Sequence, residues 1–251
     1  AEVYGGILDN PTAADAATTA AAPTALTGQQ RFDTVATTTS TYLNFSFAGP
    51  AITDKDYLPL ELLAQYLNLD EVSPLKNALT GADPFASEVT VSLSPYERFS
   101  RLEIAIISDK PEMRDSIVNT VLRHVSRAAS MTADPAALQG IKTSTRCQDI
   151  YNSEKLHYYA FMIQSLMMTG GWEFIQSYPD KLDAVTWEQC MEAASKWLSQ
   201  PHYVATVVRP RADSTQVPYV PEGLAADDVV TYFKQAGIPT WDTSANPAIV
   251  L

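Results

Sequence analysis

Between residues 88 and 108, apolar side chains fall on every second residue twice over. Val89, Val91 and Leu93 alternate with polar neighbours; after Ser94-Pro-Tyr-Glu-Arg98, so do Leu102, Ile104 and Ile106. A period of two sends successive side chains to opposite faces, so each run predicts a strand with one buried face. The short connection predicts a hairpin. A third run, Leu43, Phe45 and Phe47 within residues 37–47, ends at Gly49-Pro50 and predicts another such strand. A fourth strand is expected over 203–208, stopped at Pro210.

Strands of this kind must cover their apolar face, and the intervening sequence supplies helices to do it. Thr53 or Asp54 is expected to cap a helix to residue 67, with Tyr57, Leu60, Leu63 and Leu67 at three- and four-residue spacing. Ser73 caps and Pro74 opens a short helix to residue 79. Asp109 and Pro111 open an amphipathic helix to residue 129, its stripe marked by Met113, Ile117, Val121 and Val125. Asp134 caps and Pro135 opens another that runs, with or without a break, to residue 168, where Gly170-Gly171 stops it. Residues 172–178 form a short helix ended by Pro179, and Thr186-Trp-Glu-Gln189 has capping-box spacing for a helix to residue 198.

This order predicts an α+β fold: a largely antiparallel sheet with helices packed on one face. The expected domain is residues 31–210. Residues 1–30, with an Ala/Thr/Pro/Asp-rich run from 11 to 30, read as a linker or arm. Residues 211–251 read as a Pro-rich extension with one short helix, 226–235, ended by Gly237.

Charge narrows the partners. Seventeen basic against 29 acidic residues give a net charge of −12, which argues against nucleic acid and against an anionic membrane surface. No apolar run approaches the roughly 18–20 residues of a membrane span. The first residues, Ala1-Glu-Val, show no basic or apolar leader pattern, although a piece of a longer protein would look the same. The sequence assigns no compartment.

Candidate chemistry is sparse. His124, His157 and His202 form no pair at metal-motif spacing, so neither His-Glu-x-x-His nor its inverted form is present. Glu154 and His157, at i and i+3, share a helix face in this reading, as a weak metal pair or as ordinary surface neighbours. No nucleophile elbow or phosphate-binding glycine loop occurs. Cys147 and Cys190 read as small buried hydrophobes, with no disulfide framework. Tyr151, Tyr158, Tyr159 and Phe161 read as core packing, with the lining of a substrate cavity as the alternative. No residue is assigned a catalytic, cofactor-binding or metal-ligating role.

Four segments nevertheless resemble a known family. Met168-Thr-Gly-Gly-Trp172, Tyr178-Pro-Asp-Lys-Leu-Asp-Ala-Val-Thr186, Ala193-Ala-Ser-Lys-Trp-Leu198 and Ala205-Thr-Val-Val-Arg-Pro210 look like the end of the repeated domain of insulinase/pitrilysin-type metallopeptidases, which use the inverted zinc motif. That family's usual Gly-Asp-Trp is Gly170-Gly171-Trp172 here. The strand ending at Pro50, followed by Asp56-Tyr57, resembles the start of the family's non-zinc domain. Ser73-Pro-Leu-Lys-Asn-Ala-Leu79 is similar to a segment of the larger single-chain, presequence-degrading type. The resemblance covers residues 35–210.

It implies a non-catalytic domain that helps enclose peptide substrates and supports a separate zinc-bearing domain or subunit. Any zinc would then sit in that partner, with none bound by this chain. The family's substrate-orienting Arg and Tyr are replaced by Thr80 and Ser87, neither of which can hold and polarise a peptide carbonyl as those groups do. An inactive, scaffolding family member and an unrelated binding module are the alternatives.

Overall fold

The alternating runs pair into one sheet, whose buried side chains come from a single face. In the computed structural model, residues 26–211 are described, apart from 27, 71, 97, 133, 200 and 201. Residues 1–25, and the extension 212–251 with its expected helix, lie outside them. Strands β1 (Gln29–Ala36), β2 (Thr41–Gly49), β3 (Glu88–Pro95), β4 (Ser100–Ser108) and β5 (Tyr203–Pro210) lie in the order β1-β5-β2-β4-β3. All pairings are antiparallel except β1 with β5, which is parallel. Register follows the pattern: Phe45 lies opposite Ile104 and Ala205, and Leu43 opposite Ile106 and Val207. These residues are buried, whereas Tyr42 and Ala105 on the opposite face are exposed.

Helices α1 (Tyr57–Asn68), α2 (Pro74–Thr80), α3 (Arg114–Ser126), α4 (Pro135–Glu154), α5 (Leu156–Ala184) and α6 (Trp187–Trp197) supply the cover. Leu60, Leu63, Ile117, Val121, Cys190 and Ala194 join the strand residues in one core. Three helix starts form as the sequence predicts: Ser73 accepts from the Lys76 N–H, Asp134 from the Ala137 N–H, and Thr186 and Gln189 make a reciprocal capping box. Pro59 is the third residue of α1, within the first turn, where its missing N–H forfeits no helical hydrogen bond.

Three expectations need correction. β1 is not among the strands the sequence predicts, and its first two residues fall in the expected linker; every residue but Ala36 is exposed, so burial leaves no alternation to read. It is fastened by charge instead: Asp33 bridges Arg209 Nε at 2.7 Å and Arg114 at 3.1 Å. Gly170-Gly171 ends a helical segment as expected, because α5 is two helical stretches joined across a kink at Gly171. Gly171 takes φ 76°, a conformation that disfavours other side chains, and helical geometry resumes at once. Pro179 then lies inside α5, which continues to Ala184. Finally, α4 ends at Glu154 and α5 begins at Leu156, with Lys155 out of helical geometry between them. Glu154 and His157 are therefore not one turn apart on one helix face; the His157 side chain lies outside the described residues.

Candidate functional site

The feature with the most unusual chemistry is a carboxyl group. Glu61 is the one acidic residue of α1, in the run Leu-Pro-Leu-Glu-Leu-Leu-Ala-Gln-Tyr. Its neighbours Leu60 and Leu62 are fully buried, and Glu61 is half-buried. Its Oε1 accepts from the Tyr178 hydroxyl of α5 at 3.0 Å. Its Oε2 is shielded from solvent and has no hydrogen-bond partner among the described residues. Burial drives the carboxyl from its ordinary 4.5 up to about 7, against the lowering effect of the Tyr178 bond. Burial and the nearby Glu61 charge together raise the hydroxyls of Tyr57 and Tyr178 well above the ordinary tyrosine range.

Glu61 lies at an open groove of about 770 Å³ between α1, α4 and β3. Leu69, Val72, Leu93 and Ile141 give it apolar walls, and Asp70 is its other acidic residue among those described. Among the described residues, no Lys, Arg or His lines it. β3 is an edge strand of the sheet, but its Val91 N–H is already taken by Asn68 Oδ1 at 2.9 Å. Gln65 accepts from Thr145 at 3.3 Å, joining α1 to α4.

The buried carboxyl makes stability depend on pH in a specified direction. The folded chain holds the Glu61 proton more tightly than the unfolded chain does, so its contribution is intact below pH 4.5 and is lost as pH rises through about 7. Glu61→Gln, which mimics the protonated acid, is expected to stabilise the protein at pH 8 by about 1–3 kcal/mol and to change little at pH 4.5. Urea unfolding of both proteins at the two pH values checks this.

The other residues considered from sequence are dispersed. Thr80 ends α2 and donates to the Lys76 carbonyl, while Ser87 donates to the Ile107 carbonyl, so both exposed hydroxyls are engaged with backbone. Cys190 is fully buried, and burial pushes its thiol up to about 12. Cys147, by contrast, is exposed, which corrects its reading as a core residue. Tyr151 and Phe161 are 53% and 74% exposed, so neither is core; Tyr159 is half-buried and the Tyr158 side chain is not described. The second half of α4 and the first half of α5 place no fully buried side chain in the core among the described residues. His124 lies on α3, where burial and the adjacent Arg123 and Arg127 lower its pKa. Among the described residues no three His, Cys, Asp or Glu side chains come together to hold a metal ion. The described residues thus offer no set of ligands that fits the zinc implied by the resemblance.

Lys142 escaped the sequence reading. Its buried ammonium donates to the carbonyls of Asp183 and Val185, at 2.8 and 2.6 Å, at the end of α5. A lone lysine within a helical stretch reads as surface, and only the fold reveals the carbonyls it faces.

The sequence profile described as "Peptidase M16 inactive domain" matches residues 2–145, more than half of the chain. No curated protein matches it. A protease from Helicobacter pylori superposes with a TM-score of 0.61 at 15% identity, covering 73% of this chain and 44% of that one. A peptidase M16 inactive domain from Pseudomonas fluorescens gives 0.60 at 15%, with the same coverage. A periplasmic protease from Escherichia coli gives 0.60 at 14%, covering 74% and 21%. At these identities the likeness establishes the fold, and the chain spans less than half the length of each.

Proposed function

The chain belongs to the peptidase M16 inactive-domain family, and from that membership we propose that it helps enclose peptide substrates and supports a separate zinc-bearing domain. Hydrolysis in this reading belongs to the zinc-bearing partner. The observation that carries the docking half of the proposal is an apolar surface. Ile150 and Tyr151 near the end of α4, and Phe161, Met167, Met168 and Trp172 on α5, are 42–79% exposed. Scattered exposed apolar residues are ordinary, but six large ones on consecutive helices mark a surface that a partner covers. Phe161 and Met168, seven residues apart before the Gly171 break, lie on the same side of their helix. No described helix is long and apolar enough to cross a membrane.

The test is association. The full chain, co-expressed with a zinc-bearing domain of the family, is expected to co-elute with it. Phe161→Glu with Met168→Glu should abolish co-elution while changing stability by under about 0.5 kcal/mol, as expected for exposed sites. Co-elution that survives both charges would remove this surface from the interface. A chain that never associates would contradict the supporting role.

A further inference from the structure

Strand β1 leaves one edge of the sheet unpaired. It lies at the end of the strand order, with β5 on one side and no described strand on the other. All of its residues but Ala36 are exposed, so it is open on both faces as well as along its edge. Backbone bonding fixes which groups point outward. The Tyr203 N–H donates to the Gly28 carbonyl, and the Arg211 N–H to the Ala36 carbonyl. Because strand residues alternate, the even-numbered residues of β1 turn their backbone groups to β5, and Arg31, Asp33 and Val35 turn theirs to solvent. Such a row is a template for another strand. The opposite edge, β3, is guarded: Asn68 occupies the Val91 N–H, and the strand ends in Pro95.

We propose that two copies of this chain pair through β1, antiparallel about a two-fold axis at Phe32, so that their sheets become continuous. Charge selects both the occupant and the register. With Phe32 opposite Phe32 of the second copy, Arg31 faces Asp33 of the second copy, and Asp33 faces Arg31 of the second copy. The next registers of correct parity set Arg31 against Arg31 or Asp33 against Asp33, like charges directly opposite each other. A slip of one residue sets outward-facing backbone groups against inward-facing ones and loses the ladder. Arg31 is available to turn, since its contacts with Asp33 and Asp115 are both long, at 3.7 Å. Asp33 keeps Arg209 and Arg114 and is still part-exposed. Phe32 lies level with the exposed Thr206, on the face away from the helices. There the two rings meet at the close spacing of a non-hydrogen-bonded pair. Each copy carries a net charge of −12 and one strand pair is a small interface, so the association is transient and a dilute chain stays monomeric. It uses none of the α4 and α5 residues assigned to the zinc-bearing partner.

Disulfide trapping tests the partner and the register together. The full chain with Cys147→Ser keeps only the buried Cys190, and into it either Phe32→Cys or Thr34→Cys is introduced. At about 100 μM, a concentration suited to weak pairs, mild oxidation is expected to link Phe32→Cys chains about tenfold faster than Thr34→Cys chains. A two-fold axis at Phe32 brings the first pair within disulfide reach and holds the second about 14 Å apart. Adding Arg31→Glu to the Phe32→Cys chain should slow trapping about tenfold, because both facing pairs then become like charges. Light scattering of the unaltered chain should show a mass that rises toward that of a dimer with concentration. Equal trapping of the two cysteine variants, a rate indifferent to Arg31→Glu, or a mass that stays monomeric throughout would each overturn the pairing.

Discussion

Phe45→Ala is expected to destabilise the domain by about 3–5 kcal/mol, the usual range for emptying a phenylalanine site in a packed core. Phe45 is fully buried at the centre of β2, facing Ile104 on one neighbouring strand and Ala205 on the other. Its ring lies 6.2 Å from that of Tyr203. The surrounding backbone is held on both sides by strand hydrogen bonds, so it cannot collapse into the space left behind. Against a total stability of about 5–15 kcal/mol for a domain, this loss is a large fraction. In urea the midpoint should fall while the slope stays constant. Phe32→Ala is the control: Phe32 is 58% exposed on β1 and its removal should change stability by under about 0.5 kcal/mol.

The second large effect is expected at Lys142. Its ammonium satisfies two carbonyls at the C-terminal end of α5, where a helix leaves acceptors without intrahelical partners. The cation also faces the negative end of the helix dipole. Lys142→Met keeps most of the apolar stem and removes both charge-assisted bonds, leaving the carbonyls buried and unpaired. A loss of about 2–4 kcal/mol is expected from bonds of this class and the desolvation left behind. Amide exchange should accelerate around residues 182–190, where α5 hands over to α6. Uniform acceleration across the sheet instead would assign the residue to general packing.

The parts legible in the sequence were those governed by local rules. Alternation located four strands, because each buries one face under helices. Side-chain caps at Ser73, Asp134 and Thr186 located three helix starts, because orphan N–H groups need acceptors nearby. β1 was missed because an exposed edge strand held by Asp33, Arg114 and Arg209 leaves no apolar period. Tyr151 and Phe161 read as core because helical spacing identifies a face without saying what covers it, and Cys147 because a free cysteine is usually buried. These side chains remain exposed in the folded domain. Glu61 did leave a sequence signal: a single carboxylate in a nearly continuous apolar run of α1. Its meaning depends on Tyr178, 117 residues away, and on a groove that exists only after folding.

The central claim is that this chain is the non-catalytic member of a peptide-handling pair. Its most direct measurement is hydrolysis of unstructured peptides by the purified full chain with added zinc, followed by mass spectrometry with and without a chelator. The account predicts intact peptides under every condition, because the described residues present no cluster to hold and use the metal. Zinc-dependent cleavage abolished by the chelator would contradict it.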